Sequence, residues 1–241
     1  MNWTRLYGKL HASMNILKGK VQPSFSQAGE DQVIRYLMND CLKILNPTYL
    51  EIGTNHPYLG NNTFYFYNRG SKGVCVEPDP RYAGLIKQYR KRDVLLEAGI
   101  GTGGASRADF YVFPKKYSGW NTFSKVEAKN REVQSGIKPD KVMQVDLADI
   151  NETMQQYFSP HPNILSIDVE GLDLDILKSI HFNRFRPEVI CVESITFSVT
   201  NEQQKILPIV DFVTSQGYFV FGDTYVNTIF CDAGSFKKIA T

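Results

Sequence analysis

The sequence has no run of 18 uncharged apolar residues, which excludes a membrane-spanning helix. It has only four cysteines, Cys41, Cys75, Cys191 and Cys231, spaced 34, 116 and 40 residues apart. No C-x-x-C pair occurs, so a zinc site built on cysteine is not expected. Cys75 and Cys191 sit inside apolar runs and read as core thiols. Near the N-terminus the apolar residues are spaced rather than contiguous, so no signal peptide is expected. The N-x-[ST] triplets at Asn2, Asn61 and Asn151 then carry little meaning, and a reducing, cytoplasmic setting is expected. Net charge is only +2, too weak to argue for a nucleic-acid partner. Internal repeats and low-complexity tracts are also lacking.

What remains is ordinary for a globular chain: 241 residues, 42% hydrophobic and 22% charged, enough for one large domain. The charge is uneven. Residues 1–29 carry Arg5, Lys9, Lys18 and Lys20 and no acid, a sum of +4. Within residues 1–23, Trp3, Leu6, Leu10, Met14 and Leu17 recur at helical spacing. This basic amphipathic helix would lie either on an anionic membrane surface or against the protein itself or a second subunit.

From residue 24 to 241 the pattern is that of one α/β domain. A helix is expected over 30–45. Strands are expected at 49–53, 73–77, 94–100, 164–169, 189–193, 218–221 and 228–231, with helices at 62–68, 80–91, 174–180 and 206–215 between them. Apolar strands alternating with helices predict a mostly parallel sheet covered on both faces. Residues 101–150 interrupt the alternation, with one hairpin strand at 108–113 and then a polar stretch that reads as an inserted loop.

In such a sheet, ligands bind beyond the carboxyl ends of the strands. The end of the first strand and the loop beyond it give Glu51, Gly53, Asn55, His56, Gly60, Asn62 and Thr63. Gly53 and Gly60 suit a backbone that approaches a ligand closely. Asn55 and Tyr58 stand where a nicotinamide fingerprint needs glycine, and no Walker A sequence occurs, so a dehydrogenase and an NTPase are both disfavoured. The loop also reads as a plain helix entry capped by Asn62 or Thr63.

Glu77, with Pro78 after it, ends the second strand 24 residues beyond Gly53. There it can accept ribose hydroxyls, or be a surface acid before a helix capped by Asp79. The third strand end, Gly99 to Gly101 with Ile100 between, would lie beside a base. The fourth offers Asp168 and Glu170, which strand alternation would point to one side, and Asp173, read as a helix N-cap. Glu193 adds an acid at the same edge.

Taken in order, the segments Ser26–Asp31, Glu51–Pro57, Asn62–Thr63, Arg69–Gly70, Glu77–Pro78, Asn121–Phe123, Ile167–Asp173, Arg186–Pro187 and Glu193–Ser194 resemble the FkbM family of methyltransferases. The resemblance implies a class I Rossmann-like fold, S-adenosylmethionine as cofactor, and methyl transfer to an oxygen, often on a sugar or polyketide-type molecule. On that reading Gly53, Asn55, Asn62 and Thr63 hold the methionine part, with Glu51 in the same motif. Glu77 and Pro78 hold the ribose, and Ile100 flanks the base. Gln27 and Glu30 close the site from the N-terminal side. Asp168, Glu170 and His56 are the candidates for proton removal or for a divalent metal. Tyr117 and Trp120 offer flat faces for a sugar ring, or pack on the core. The expected acceptor is a small molecule or glycan. Rival readings are methylation of nitrogen or protein, and a non-catalytic nucleoside-binding or scaffold protein on the same fold. Oligomeric state is left open.

Overall fold

A computed structural model describes residues 8, 11, 13–15, 18 and 22–237. The amphipathic stripe foreseen over residues 1–23 lies largely outside the described residues. Among the described residues no helix is long and apolar enough to cross a membrane.

Seven strands form the main sheet. In chain order they are β1 (Tyr49–Ile52), β2 (Gly73–Val76), β3 (Val94–Leu96), β7 (Ile164–Ile167), β8 (Val189–Glu193), β9 (Tyr218–Asp223) and β10 (Asn227–Asp232). Their spatial order is β3-β2-β1-β7-β8-β10-β9. The first five run parallel, and β10 pairs antiparallel with both β8 and β9. This is the expected Rossmann-like α/β fold with a mostly parallel sheet. The chain leaves β1 toward β2 and β3, then returns to β7 on the other side. The switch point therefore falls between β1 and β7, where a crevice opens.

Side-chain alternation sorts the two faces. Leu50, Ile52, Leu165, Ile167, Ile190 and Val192 pack with Ile150, Met154, Ile176, Leu177, Ile209 and Val213. Those partners come from α5 (Ile150–Tyr157), α6 (Asp173–Ser179) and α7 (Leu207–Ser215). Tyr49, Ile164, Val189 and Cys191 face the other way, against α1 (Glu30–Arg35), the π-helical turn Tyr36–Cys41 that continues it, and α2 (Phe64–Asn68). Helix α3 (Pro80–Tyr89) starts as its sequence dictates: Pro80 sits at the first position and the Asp79 side chain accepts from Arg81 N at 2.9 Å.

The insertion is not the loop that its polarity suggested. It builds a second sheet, β4 (Gly99–Ile100), β6 (Lys141–Ala148) and β5 (Arg107–Val112), in the order β4-β6-β5. Between β5 and β6 lie a 3-10 turn at Lys115–Trp120 and helix α4 (Lys125–Ser135). The buried face of α4 is Ala128 and Arg131, so it leaves no apolar stripe to read. The single strand foreseen at 94–100 is split, with β3 in the main sheet and β4 in the second. The final helix is α8 (Ala233–Lys237).

Candidate active site

A cavity of about 610 Å³ opens at the carboxyl ends of β1, β2, β7 and β8. Gly53, at φ +80°, ends β1, and a Cβ placed there would lie 1.8 Å from the carbonyl oxygen of Asp168. No side chain fits that contact, which brings the β1 and β7 ends together. The turn is fixed further because Gly53 N donates to Val76 O at 3.0 Å and Asp168 N to Ile52 O at 3.0 Å.

Glu77 faces this turn. Its carboxylate accepts from Asn55 N at 2.6 Å and from Asp79 N at 2.8 Å. Each oxygen keeps a free lone pair for a ligand hydroxyl. Burial pushes its carboxyl up to about 7, against the two N–H donors that favour the ionised form. Glu77 thus borders the cavity as a buried residue, not a surface acid, while Asp79 caps α3 as expected. Toward β4 the wall becomes apolar, with Pro78, Ile100, Phe110 and Phe123.

At the other end, Asp168, Glu170 and Glu193 offer oxygens within 4.8 Å of one another, close enough for a shared cation. Asp168 and Glu170 do meet, though not through strand alternation. β7 ends at Ile167, and the chain then turns with Glu170 at φ +58° and Gly171 at φ +113°. Asp173 is not the N-cap of α6. It is the first helical residue, and its carboxylate accepts from Val169 N and Gly171 N, both at 3.1 Å, tying the turn itself. Burial, then the neighbouring Glu170 and Asp173, push Asp168 well above the usual carboxylate range. Burial raises Glu170 to about 7, with Arg131 pulling the other way.

Arg131 is the residue that sequence reading missed. It is 1% exposed and donates to Glu127 at 3.1 Å and to Glu170 at 2.5 Å, beneath the ring of Phe197 at 4.9 Å. Thr122 Oγ1 donates to Glu170 O at 2.8 Å, and Asn121 Nδ2 to Asp79 at 2.9 Å. The insertion therefore grips both ends of the site. An arginine in a polar stretch gives no local signal of this.

Gln27, Gly53, Asn55, Glu77, Pro78, Ile100, Asp168 and Glu170 line the cavity. Five other candidates do not. Glu51 points to the opposite face of the sheet and pairs with buried Arg90 at 2.9 Å, while Asn61 Nδ2 donates to it at 3.0 Å. Thr63 accepts from the same Arg90 at 2.8 Å, and Asn62 donates to Ser166 Oγ at 3.2 Å. These three hold β1, β7 and α2 together rather than a ligand. The helix entry is closed by neither Asn62 nor Thr63; Asn61 Oδ1 accepts from Thr63 N at 3.1 Å and Phe64 N at 2.7 Å. His56 turns away from the acids. Its Nδ1 accepts from Leu59 N at 3.1 Å, its ring packs edge-on to Tyr58, and burial lowers its pKa, so Arg131 is the cation beside Glu170. Glu30 is also off the wall, accepting from Thr224 at 2.7 Å and Asn227 at 3.0 Å. Trp120 lines the cavity against Phe197, ring centroids 5.0 Å apart, and Tyr117 packs behind it at 4.5 Å.

Among solved structures, the chain is similar to a TehB-like SAM-dependent methyltransferase from Corynebacterium glutamicum, with 9% identity, 95% and 99% of the two chains covered and a TM-score of 0.41. It is similar to a precorrin-6y C5,15-methyltransferase from Geobacter metallireducens, with 14% identity, 83% and 86% covered and a TM-score of 0.41. An O-methyltransferase from Bacillus cereus in complex with SAH gives 12% identity, 92% and 88% covered and a TM-score of 0.39. No curated protein sequence matches significantly. The sequence itself matches the Methyltransferase FkbM domain over residues 51–220. That span is well over half of the chain and carries the end of β1, Glu77, the insertion and the carboxylate turn, and the chain belongs to the FkbM methyltransferase family.

Proposed function

We propose that this protein is an S-adenosylmethionine-dependent O-methyltransferase whose acceptor is a hydroxyl of a sugar, glycan or related small molecule. The observation that carries the reading is the placement of Glu77 and the three carboxylates at opposite ends of one cavity at the β1–β7 switch point. The wall fits the cofactor: apolar side chains at Ile100, Phe110 and Phe123 suit a base, Glu77 suits a ribose, and Gly53 leaves room for close backbone approach. When bound, S-adenosylmethionine supplies a methyl group on a sulfonium, already activated for displacement.

The chain's own residues then align and deprotonate. Asp168 would take the acceptor's hydroxyl proton as that oxygen replaces sulfur on the methyl carbon, the C–S bond breaking and the cofactor leaving as a neutral thioether. Its half-buried, acid-flanked carboxyl is more basic than an ordinary aspartate. Glu170, held by Arg131, fixes the turn that presents Asp168. The cavity is roofed by Trp120 and Phe197, which suits a small ring better than a folded protein surface and supports the small-molecule acceptor over a protein one. The intact wall of acids is unlike a scaffold that has lost its chemistry. The test is incubation of purified protein with methyl-labelled cofactor and a panel of sugars, phenols and amines, read by mass spectrometry. Label on a hydroxyl supports the reading, and label only on amines or protein overturns it.

A further inference from the structure

The cavity wall is strongly one-signed. Glu77, Glu127, Asp168, Glu170, Asp173 and Glu193 line it, against the single basic residue Arg131. The hydrogen bonds show where that imbalance is left unanswered. Arg131 serves Glu127 and Glu170. Backbone N–H groups serve Asp173 and Glu77. The carboxylates of Asp168 and Glu193 have no hydrogen-bond or ion-pair partner among the described residues. Two half-buried carboxylates without partners are costly in an empty site, and a cation supplied by the ligand removes the cost.

The order of the wall says which part of the ligand meets them. The apolar residues Ile100, Phe110 and Phe123 lie at the β4–β5 end of the cavity. Glu77 follows at the end of β2, Gly53 at the end of β1, then Asp168 after β7 and Glu193 at the end of β8. A nucleoside with its base at the apolar end and its ribose on Glu77 points its 5′ substituent at Asp168 and Glu193. In S-adenosylmethionine the atom attached there is the sulfonium. After transfer it is a neutral thioether, while the ammonium and carboxylate of the amino-acid part are unchanged. The ligand's net charge falls from +1 to zero.

We propose that Asp168 and Glu193 read this charge, so that the site binds the cationic methyl donor more tightly than the neutral product S-adenosylhomocysteine. This rests on the methyltransferase reading above. The enzyme would then release its spent cofactor readily and resist product inhibition without a separate clearance step. Glu193 becomes a specificity-determining residue, selecting the charged over the discharged cofactor. A low-dielectric wall focuses the field of its charges, so the effect is larger here than on an open surface.

The experiment is isothermal titration of the full chain, in EDTA and low salt, with S-adenosylmethionine, with sinefungin (an amine cation at the sulfonium position) and with S-adenosylhomocysteine. Both cations should bind at least about tenfold tighter than the thioether, a factor that corresponds to about 1.4 kcal/mol. The preference should shrink in about 0.5 M salt, where charge is screened. In Asp168→Asn and Glu193→Gln, separately and together, the ratio should fall toward one while S-adenosylhomocysteine affinity stays within about threefold of the parent. Equal or tighter binding of S-adenosylhomocysteine by the parent overturns the inference and leaves the methyltransferase reading intact. So does a preference that survives in a folded double variant. A folded parent that binds none of the three overturns both.

Discussion

Gly53 and Asp168 touch backbone to backbone: a Cβ on Gly53 would stand 1.8 Å from the Asp168 carbonyl oxygen. The cavity depends on this contact, because it sets the β1 turn against the turn that carries the acids. Gly60, in the same loop and also at positive φ, has nothing within 4 Å of its would-be Cβ. Gly53→Ala should therefore cost well over about 2 kcal/mol of stability, combining the left-handed penalty with a backbone clash. Gly60→Ala should cost only the conformational part, about 1–2 kcal/mol. Urea denaturation of the two variants separates them. Equal losses would mean that the β1–β7 contact is not tight.

Glu77 gives a pH signature. Its carboxyl stands at about 7 because it is buried, and only the ionised form offers both oxygens to ribose hydroxyls. Affinity for S-adenosylhomocysteine should rise with pH through the window below about 7 and level off above it. Glu77→Gln, which cannot titrate, should bind weakly with little pH dependence, and Glu77→Ala should lose about 1.5–3 kcal/mol. The same shift affects folding. An acid whose folded pKa is raised binds more protons folded than unfolded, so its burial costs more as pH climbs from about 4.5 to about 7. Calorimetric titrations between pH 5.5 and 8 check the binding side. A flat profile for the parent would remove Glu77 from the ribose.

Much of this site was legible because strand ends are legible. Short apolar runs closed by Gly53, Glu77, Asp168 and Glu193 announce themselves, and the topology of a doubly wound sheet brings them to one edge. What the sequence concealed were contacts made across distance. Glu51 looks like a ligand-binding acid because it follows an apolar run, yet pleating turns it to the far face, where Arg90 waits 39 residues away. Asp168 and Glu170 were paired by an alternation that stops one residue too early, and they converge through a left-handed turn instead. The insertion was opaque for a different reason: α4 buries an alanine and an arginine, so hydrophobic periodicity says nothing about it.

Arg131 joins that insertion to the acids, and its removal should show in stability as well as chemistry. Arg131→Met leaves Glu127 and Glu170 without their cation. Breaking a buried pair from one side costs about 3–5 kcal/mol, and partial exposure of the two acids places this one at the lower end. The sign of the pH dependence follows from Glu170, whose folded pKa of about 7 would climb further without Arg131. Below that range Glu170 is protonated and needs no cation, so the variant should lose less stability at pH 5 than at pH 8. Thermal melts of parent and variant at both values decide it. A loss that is equal at the two values would make Arg131 a packing residue only.

Asp168 and Glu170 differ in what surrounds them, and their variants should differ accordingly. Asp168 has no partner among the described residues and the stronger upward push, which are the properties of a group that takes a proton. Glu170 is bound by Arg131 and sits at a strained φ, which are the properties of a group that shapes the turn. Once an acceptor is in hand, Asp168→Asn should lower turnover by about 10²–10⁴-fold with little change in S-adenosylhomocysteine affinity. Glu170→Gln keeps the size and one hydrogen-bond acceptor for Arg131, so it should retain more activity than Asp168→Asn. EDTA should leave the parent rate unchanged if Asp168 acts directly. A rate that collapses in EDTA and returns with a divalent cation would instead assign Asp168, Glu170 and Glu193 to a shared metal, since their oxygens are close enough to hold one. Parent-like turnover in Asp168→Asn would exclude it as the base.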